Sequence, residues 1–185
     1  MDTVLDRPWT AERFLAWEDQ QEGKHEFGGL RVIPMTGCSF AHQWIVTNLC
    51  VTLRRLLLGK GLLPISEMRL RIGQRFRYPD VQVCRGPIDQ TIKTLTDAVA
   101  IFEIASDDTA ATERVIKLRE YAEVPSLRCY VLLEQTAVAA TLFQRNPGGQ
   151  WIATAHIEGA LPLPGLDIAV PLEDLYQGLT FAAPE

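Results

Sequence analysis

Residues 99–105 read VAIFEIA, residues 110–123 read AATERVIKLREYAE, and residues 129–133 read CYVLL. The first and last runs are apolar on both faces apart from Glu103, the pattern of strands buried inside a sheet. Between them Ala111, Val115, Leu118 and Ala122 recur at helical spacing, and Pro125 ends the helix. Strand, helix and strand within about 35 residues is the length of a βαβ crossover, which joins parallel strands by a right-handed connection. The chain is therefore expected to be α/β, with helices flanking a mixed β-sheet.

Upstream, Met68, Leu70 and Ile72 alternate with Glu67, Arg69 and Arg71. This predicts a half-buried strand that turns at Gly73 to Arg75 into a second strand over Tyr78 to Cys84. Ser39 to Leu58 carries the longest helical pattern. Its apolar residues Trp44, Ile45, Leu49, Val51, Leu53, Leu56 and Leu57 cover more than one stripe, so the helix is expected to be well buried. His25 to Met35 reads as a strand or hairpin broken at Gly28-Gly29 and Pro34. Thr10 is placed to cap a first helix running to about Gln21. Downstream, Val138 to Gln144, Trp151 to His156 and Asp167 to Val170 read as further strands before a short helix opened by Pro171-Leu172. The expected organisation is a single domain over 1–185, with an N-terminal helix at 10–22, a core at 25–134, and C-terminal strands with a short helix at 138–179.

The 185 residues include 18 Lys and Arg against 23 Asp and Glu, a formal charge of −5, and are 47% hydrophobic. Such fractions belong to a globular chain and not to a disordered one. No apolar run approaches the ~18 residues of a membrane span. Met1 to Trp9 holds Asp2, Asp6 and Arg7 where a leader peptide needs an apolar stretch. A soluble cytoplasmic protein without a membrane partner is expected. The acidic balance argues against broad nucleic-acid binding but leaves room for a local basic strip. Cys38, Cys50, Cys84 and Cys129 form no CxxC pair and fit neither a zinc site nor a disulfide framework. Dinucleotide-binding and P-loop glycine motifs are absent.

The chemically informative pair is Asp80, in Tyr78-Pro79-Asp80, and Glu103, inside its apolar strand. A buried carboxylate is expensive unless it is paired, protonated or bound to metal. Two carboxylates from neighbouring strands, with a backbone carbonyl, make an oxygen site suited to magnesium. On spacing alone a second reading stays open, in which Asp80 caps a turn and Glu103 pairs with an arginine. Lys117 reads either as a cation reaching back over the sheet towards a phosphate or its attacking water, or as the exposed i,i+4 partner of Glu113, worth ~0.3 kcal/mol. Glu26 reads as a third carboxylate or as a surface acid, and His42 as a phosphate contact or a solvent-facing residue. Arg69, Arg71, Arg75 and Arg77 form the dense basic cluster. Arg69 and Arg71 share one face of their strand, as a phosphate-contacting ridge or as a solvated surface.

Around these residues lie Lys24-His25-Glu26-Phe27, Met35-Thr36-Gly37, Ala41-His42-Gln43, Tyr78-Pro79-Asp80-Val81, Phe102-Glu103-Ile104 and Lys117-Leu118-Arg119-Glu120-Tyr121. Pro125 to Leu132 and Leu161-Pro162-Leu163-Pro164-Gly165-Leu166 complete the set. In order and spacing they resemble the Uma family, a large bacterial group of endonucleases within the PD-(D/E)XK restriction-endonuclease-like superfamily. The resemblance runs from Thr10 to about Leu179. It implies a restriction-endonuclease-like mixed sheet flanked by helices, with additional C-terminal strands, and a metal-dependent endonuclease that hydrolyses DNA phosphodiester bonds. It further implies Mg2+, or Mn2+ in its place, held by Asp80 and Glu103 with the Ile104 carbonyl as a further ligand. The superfamily's lysine usually stands two residues after the second acid, a position occupied here by Ala105. The Uma pattern has a lysine on the next helix, which falls on Lys117, and an N-terminal acid, which falls on Glu26. Superfamily members often pair, so a homodimer is implied as well.

Several positions depart from the family pattern. Gly29-Leu30-Arg31 stands where Asp-Gly-Glu is common, Ser106-Asp107-Asp108 where Ser-Pro-Ser is common, Glu113 where an Asp is usual, and Gln43 where Asn usually follows the His. The core acids and the lysine are kept while the rim changes. The alternative is therefore a catalytically weakened nuclease fold that serves as a binding or interaction module.

Overall fold

The computed structural model describes residues 8–35, 37–105 and 111–181, with the backbone alone for 111–113. Helix α1 (Ala11–Glu18) starts where the Thr10 hydroxyl accepts from the Arg13 amide. Strands β1 (His25–Phe27) and β2 (Val32–Pro34) form the expected hairpin. Ser39 caps α2 (Phe40–Leu56). There follow β3 (Leu62–Ser66), β4 (Arg69–Ile72), β5 (Arg75–Arg77), β6 (Val81–Arg85), β7 (Thr94–Leu95) and β8 (Ala100–Ala105). Helix α3 (Ala111–Tyr121) leads to β9 (Cys129–Glu134), β10 (Ala140–Arg145), β11 (Trp151–His156), β12 (Ala160–Leu163), β13 (Ile168–Pro171) and α4 (Leu172–Tyr176).

The strands make a six-stranded sheet in the order β11-β10-β9-β8-β6-β3, a five-stranded sheet in the order β2-β1-β5-β4-β7, and the β12-β13 pair. The expected crossover is present: β8 and β9 are parallel neighbours with α3 between them in the chain. The hairpin expected over 67–84 is drawn differently. The β4 strand pairs with β5 across Gly73 in one sheet, whereas β3 pairs with β6 in the other. A single ribbon thus changes sheet half-way. The change falls where Glu67 takes a left-handed backbone (φ 51) and Pro79 lacks an amide for the ladder. There the Glu67 amide donates to the carbonyls of Pro79 and Asp80 at 3.2 and 3.3 Å, which pins the corner.

On one side of the six-stranded sheet, α2 and its C-cap Leu57 bury Ile45, Val46, Leu49, Leu53 and Leu57 against Val81, Val83, Phe102, Ile104 and Val131. Contrary to the expectation of burial all round, Trp44 and Val51 are 38% and 64% exposed. On the other side, Leu70, Ile72, Cys84, Ile101, Tyr121 and Tyr130 fill the seam between the two sheets. Phe14 of α1 stacks on Phe27 and Phe76 beneath the five-stranded sheet. Among the described residues no helix is long and apolar enough to cross a membrane, and all four cysteines are free.

Candidate active site

Strand periodicity sends Ala100, Phe102 and Ile104 of β8 to the α2 side and leaves Ile101 and Glu103 facing the seam. Asp80 stands at the corner just ahead of β6, Glu26 on β1, and Lys117 on α3. Four separate elements therefore bring these side chains to one place. The Lys117 Nζ lies 3.3 Å from both Glu103 oxygens and 3.9 Å from Glu26 Oε1. Asp80 is fixed from two sides, its Oδ2 accepting from the Ile104 amide at 2.7 Å and its Oδ1 lying 3.2 Å from His42 Nε2. His42 reaches it from the first turn of α2.

Sequence reasoning missed the residues that hold this group in place. The Tyr121 hydroxyl donates to Glu103 Oε1 at 2.5 Å. Arg77 is 3% exposed and donates to Glu26 at 2.7 Å and to both oxygens of Glu120 at 2.7 and 3.0 Å. The Tyr78 amide donates to the other Glu26 oxygen at 3.2 Å. Lys117, Glu120 and Tyr121 stand at i, i+3 and i+4, so a single face of α3 carries a cation, an anion and a hydroxyl into the seam. That spacing was the available signal, and without the partner strands it does not distinguish a buried face from a solvated one.

The electrostatics follow from burial. Desolvation pushes the Glu103 carboxyl up to about 7; the Lys117 charge opposes this, and the charges of Asp80 and Glu26 add to it. Burial alone would lower the Lys117 ammonium, but the charges of Glu103, Glu26 and Asp80 outweigh it and hold Lys117 above its ordinary value. His42 follows the same logic: desolvation pulls it down, while the hydrogen bond and charge of Asp80 leave it raised. Arg77 is held high by Glu120 and Glu26 against its own desolvation.

Asp80, Glu103, Lys117, Glu26 and His42 are thus brought together, and Glu26 is a buried residue, not a surface acid. Lys117 turns to the carboxylates; the side chain of Glu113, its alternative partner, lies outside the described residues, as do Thr36 and Ser106-Asp107-Asp108. Arg69 and Arg71 do not join the site. Arg69 is buried, donating to Glu18 Oε2 of α1 at 2.5 Å and to Thr94 Oγ1 at 2.8 Å. Arg71 donates to the Gly73 carbonyl at 2.9 Å and lies over the Phe76 ring. Neither reading of this face, phosphate-contacting ridge or solvated surface, describes Arg69, which is taken up in ion pairing with the helix packed against its sheet.

The cluster, with Glu26, Glu103, Glu120 and Arg77 buried and Asp80 and Lys117 half-buried, sets four acids against two bases, an excess of two formal negative charges before His42 is counted. A divalent cation matches that excess. Among the described residues no three His, Cys, Asp or Glu side chains form a ready-made cage. Magnesium does not require one, since it keeps several waters and takes one or two carboxylates. Asp80 and Glu103 are the carboxylates that could serve as donors; Ile104 enters the site through its amide on Asp80.

Comparison with known proteins places this geometry in context. Residues 11–182 match the family model Uma2, described as "Putative restriction endonuclease". Two proteins of Synechocystis sp., "Uncharacterized protein slr1290" and "Uncharacterized protein sll1609", are each 30% identical to the chain. The first aligns over 92% of both chains, the second over 78% of this chain and 85% of its own length. A crystal structure of a "putative nuclease belonging to DUF820" from Anabaena variabilis superposes with a TM-score of 0.78, covering 91% of this chain and 98% of that one at 16% identity. This last likeness establishes the shared fold.

Proposed function

The chain belongs to the Uma2 family, and from that premise we propose that it is a metal-dependent endonuclease hydrolysing DNA phosphodiester bonds. The observation that carries this reading is the convergence of Asp80, Glu103, Glu26 and Lys117 from four elements into one acid-rich cluster that is largely shielded from solvent. Asp80 and Glu103 would hold Mg2+ or Mn2+, which supplies charge neutralisation at the phosphoryl group and a more acidic bound water. Lys117 places a cation where negative charge builds up on the scissile phosphate, and it orients the attacking water. Glu26, held by Arg77 and the Tyr78 amide, fixes the second side of the Lys117 ammonium. His42 keeps Asp80 turned towards β8 and offers a contact to phosphate.

Incubating plasmid with the protein and Mg2+ or Mn2+ tests the proposal. Nicked or linear product is expected from the native chain and none from Glu103→Gln. Cleavage no greater than that of an Asp80→Ala control defeats it. One observation favours the second reading, a binding module without turnover: both Asp80 oxygens are already engaged, by the Ile104 amide and by His42. Calorimetric titration with Mn2+ separates the two readings. Saturable binding lost in Glu103→Ala counts against the module.

A further inference from the structure

Backbone registers show which groups on each exposed strand point away from its sheet, and a pattern emerges across the edges. In antiparallel pairs, hydrogen-bonded positions alternate with positions whose amide and carbonyl face outward. On β3 the Gly86 amide donates to the Gly61 carbonyl, and Leu62 pairs with Arg85, so the outward residues are Leu62, Pro64 and Ser66. On β2 the bond from the Met35 amide to the Lys24 carbonyl makes Val32 and Pro34 the outward residues. On the β12-β13 pair the bond from the Leu172 amide to the Gly159 carbonyl turns Pro162 outward on one strand and Pro171 on the other. The remaining edge of the five-stranded sheet, β7, is two residues long. Each of these edges is blunted, either by a proline at a position where its missing amide costs the fold nothing, or by brevity.

The other edge of the six-stranded sheet lacks any such device. The bond from the Asn146 amide to the Gln150 carbonyl sets the register of β11, so Trp151, Ala153 and Ala155 direct their amides and carbonyls outward. The strand is six residues long, Trp151–His156, and contains neither proline nor any Asp, Glu, Lys or Arg. Ile152 is 41% exposed, and Ile157, just beyond the strand, is 72% exposed.

We infer that β11 is an interface for a second copy of this chain, pairing antiparallel with its own symmetry mate about Ala153. A two-fold axis there sets Ala153 opposite Ala153 of the partner subunit and Trp151 opposite Ala155 of the partner subunit, so every outward amide meets a carbonyl. Self-pairing sets a strand's charges against themselves, and a neutral strand is the kind that tolerates it. The small Ala153 and Ala155 side chains let the backbones approach, and Ile152 lies diagonal to the axis to add apolar contact. The two six-stranded sheets then run on as one, and pairing stops at the dimer because each copy has a single β11. This inference does not depend on the proposed nuclease reading.

Sedimentation of the full chain over the micromolar range tests it, with two variants. Ala153→Pro removes an outward amide without touching the β10 ladder, and Ala153→Lys keeps the backbone but sets like charges face to face. A native dimer whose dissociation constant rises by ~10-fold or more in both variants, with an unchanged far-ultraviolet spectrum, is the expected result. A native chain that sediments as a monomer overturns the inference, and so does a dimer indifferent to both substitutions.

Discussion

The two faces of β8 differ sharply although they come from the same six residues. Ala100, Phe102 and Ile104 enter a wholly apolar core beneath α2. Ile101 and Glu103 face a seam where carboxylates, an ammonium, a guanidinium and a phenol hydroxyl are buried together. The first face is stabilised by burial that is non-directional and forgiving of detail. The second depends on each charge finding its partner, since an unpaired buried ion costs several kcal/mol. Apolar packing and buried charge are thus divided between the two sides of one strand.

The comparison breaks most severely at Arg77. Arg77→Leu leaves Glu26 and Glu120 buried without their shared cation, and a loss of about 5 kcal/mol is expected, read from urea unfolding. On the opposite face, Phe102→Ala should cost about 3–4 kcal/mol in the same measurement, from lost transfer energy and the cavity left behind. The two variants separate in salt and pH: the Phe102 deficit should be constant across pH, whereas the Arg77 deficit should shrink in acid as the stranded carboxyls protonate.

A smaller effect sharpens the contrast. The folded Glu103 carboxyl is pushed up to about 7 from an ordinary 4.5. Between those values the folded chain binds more protons than the unfolded chain, so metal-free protein in chelator should lose stability as pH rises through this window. Glu103→Gln should flatten that slope while changing stability near neutral pH by only about 1 kcal/mol in either direction, because it removes a buried charge but keeps a polar group. Smallest of all, Arg55→Gln breaks the exposed pair with Asp174 and should shift the unfolding free energy by less than about 0.5 kcal/mol. A larger loss at Arg55 than at Arg77 would mean that the seam is not the sensitive region.

How much of this could be read from sequence follows the same division. The apolar strands at 100–105 and 129–134 and the helix between them are legible because periodicity is a local property. Glu103 stands out because it interrupts an apolar strand, whereas Asp80 and Lys117 fit their local patterns and draw their weight from the family resemblance. The partners are less visible. Arg77 meets Glu120 across 43 residues and Glu26 across 51, and nothing in the neighbourhood of Arg69 indicates that Glu18 will meet it. The alternation around Arg69 and Arg71 identifies a polar face, but only the packing of α1 decides that this face is an inside one. The division of the 62–85 ribbon between two sheets was likewise hidden, since a left-handed backbone at Glu67 has no clear mark in a non-glycine residue.

The bond from the Ile104 amide to Asp80 has a practical consequence. Backbone pairing of β8 with β6 reaches Phe102 opposite Val81 and goes no further, so at Ile104 a side-chain carboxylate takes the place of a neighbouring strand. The proton on that nitrogen is consequently a spectroscopic reporter placed at the site by the fold itself. In a 15N-labelled sample its resonance should move when anything binds the far oxygen of Asp80, and its exchange with solvent should slow as that oxygen becomes occupied. A single amide cross-peak could then follow site occupancy without any cleavage assay.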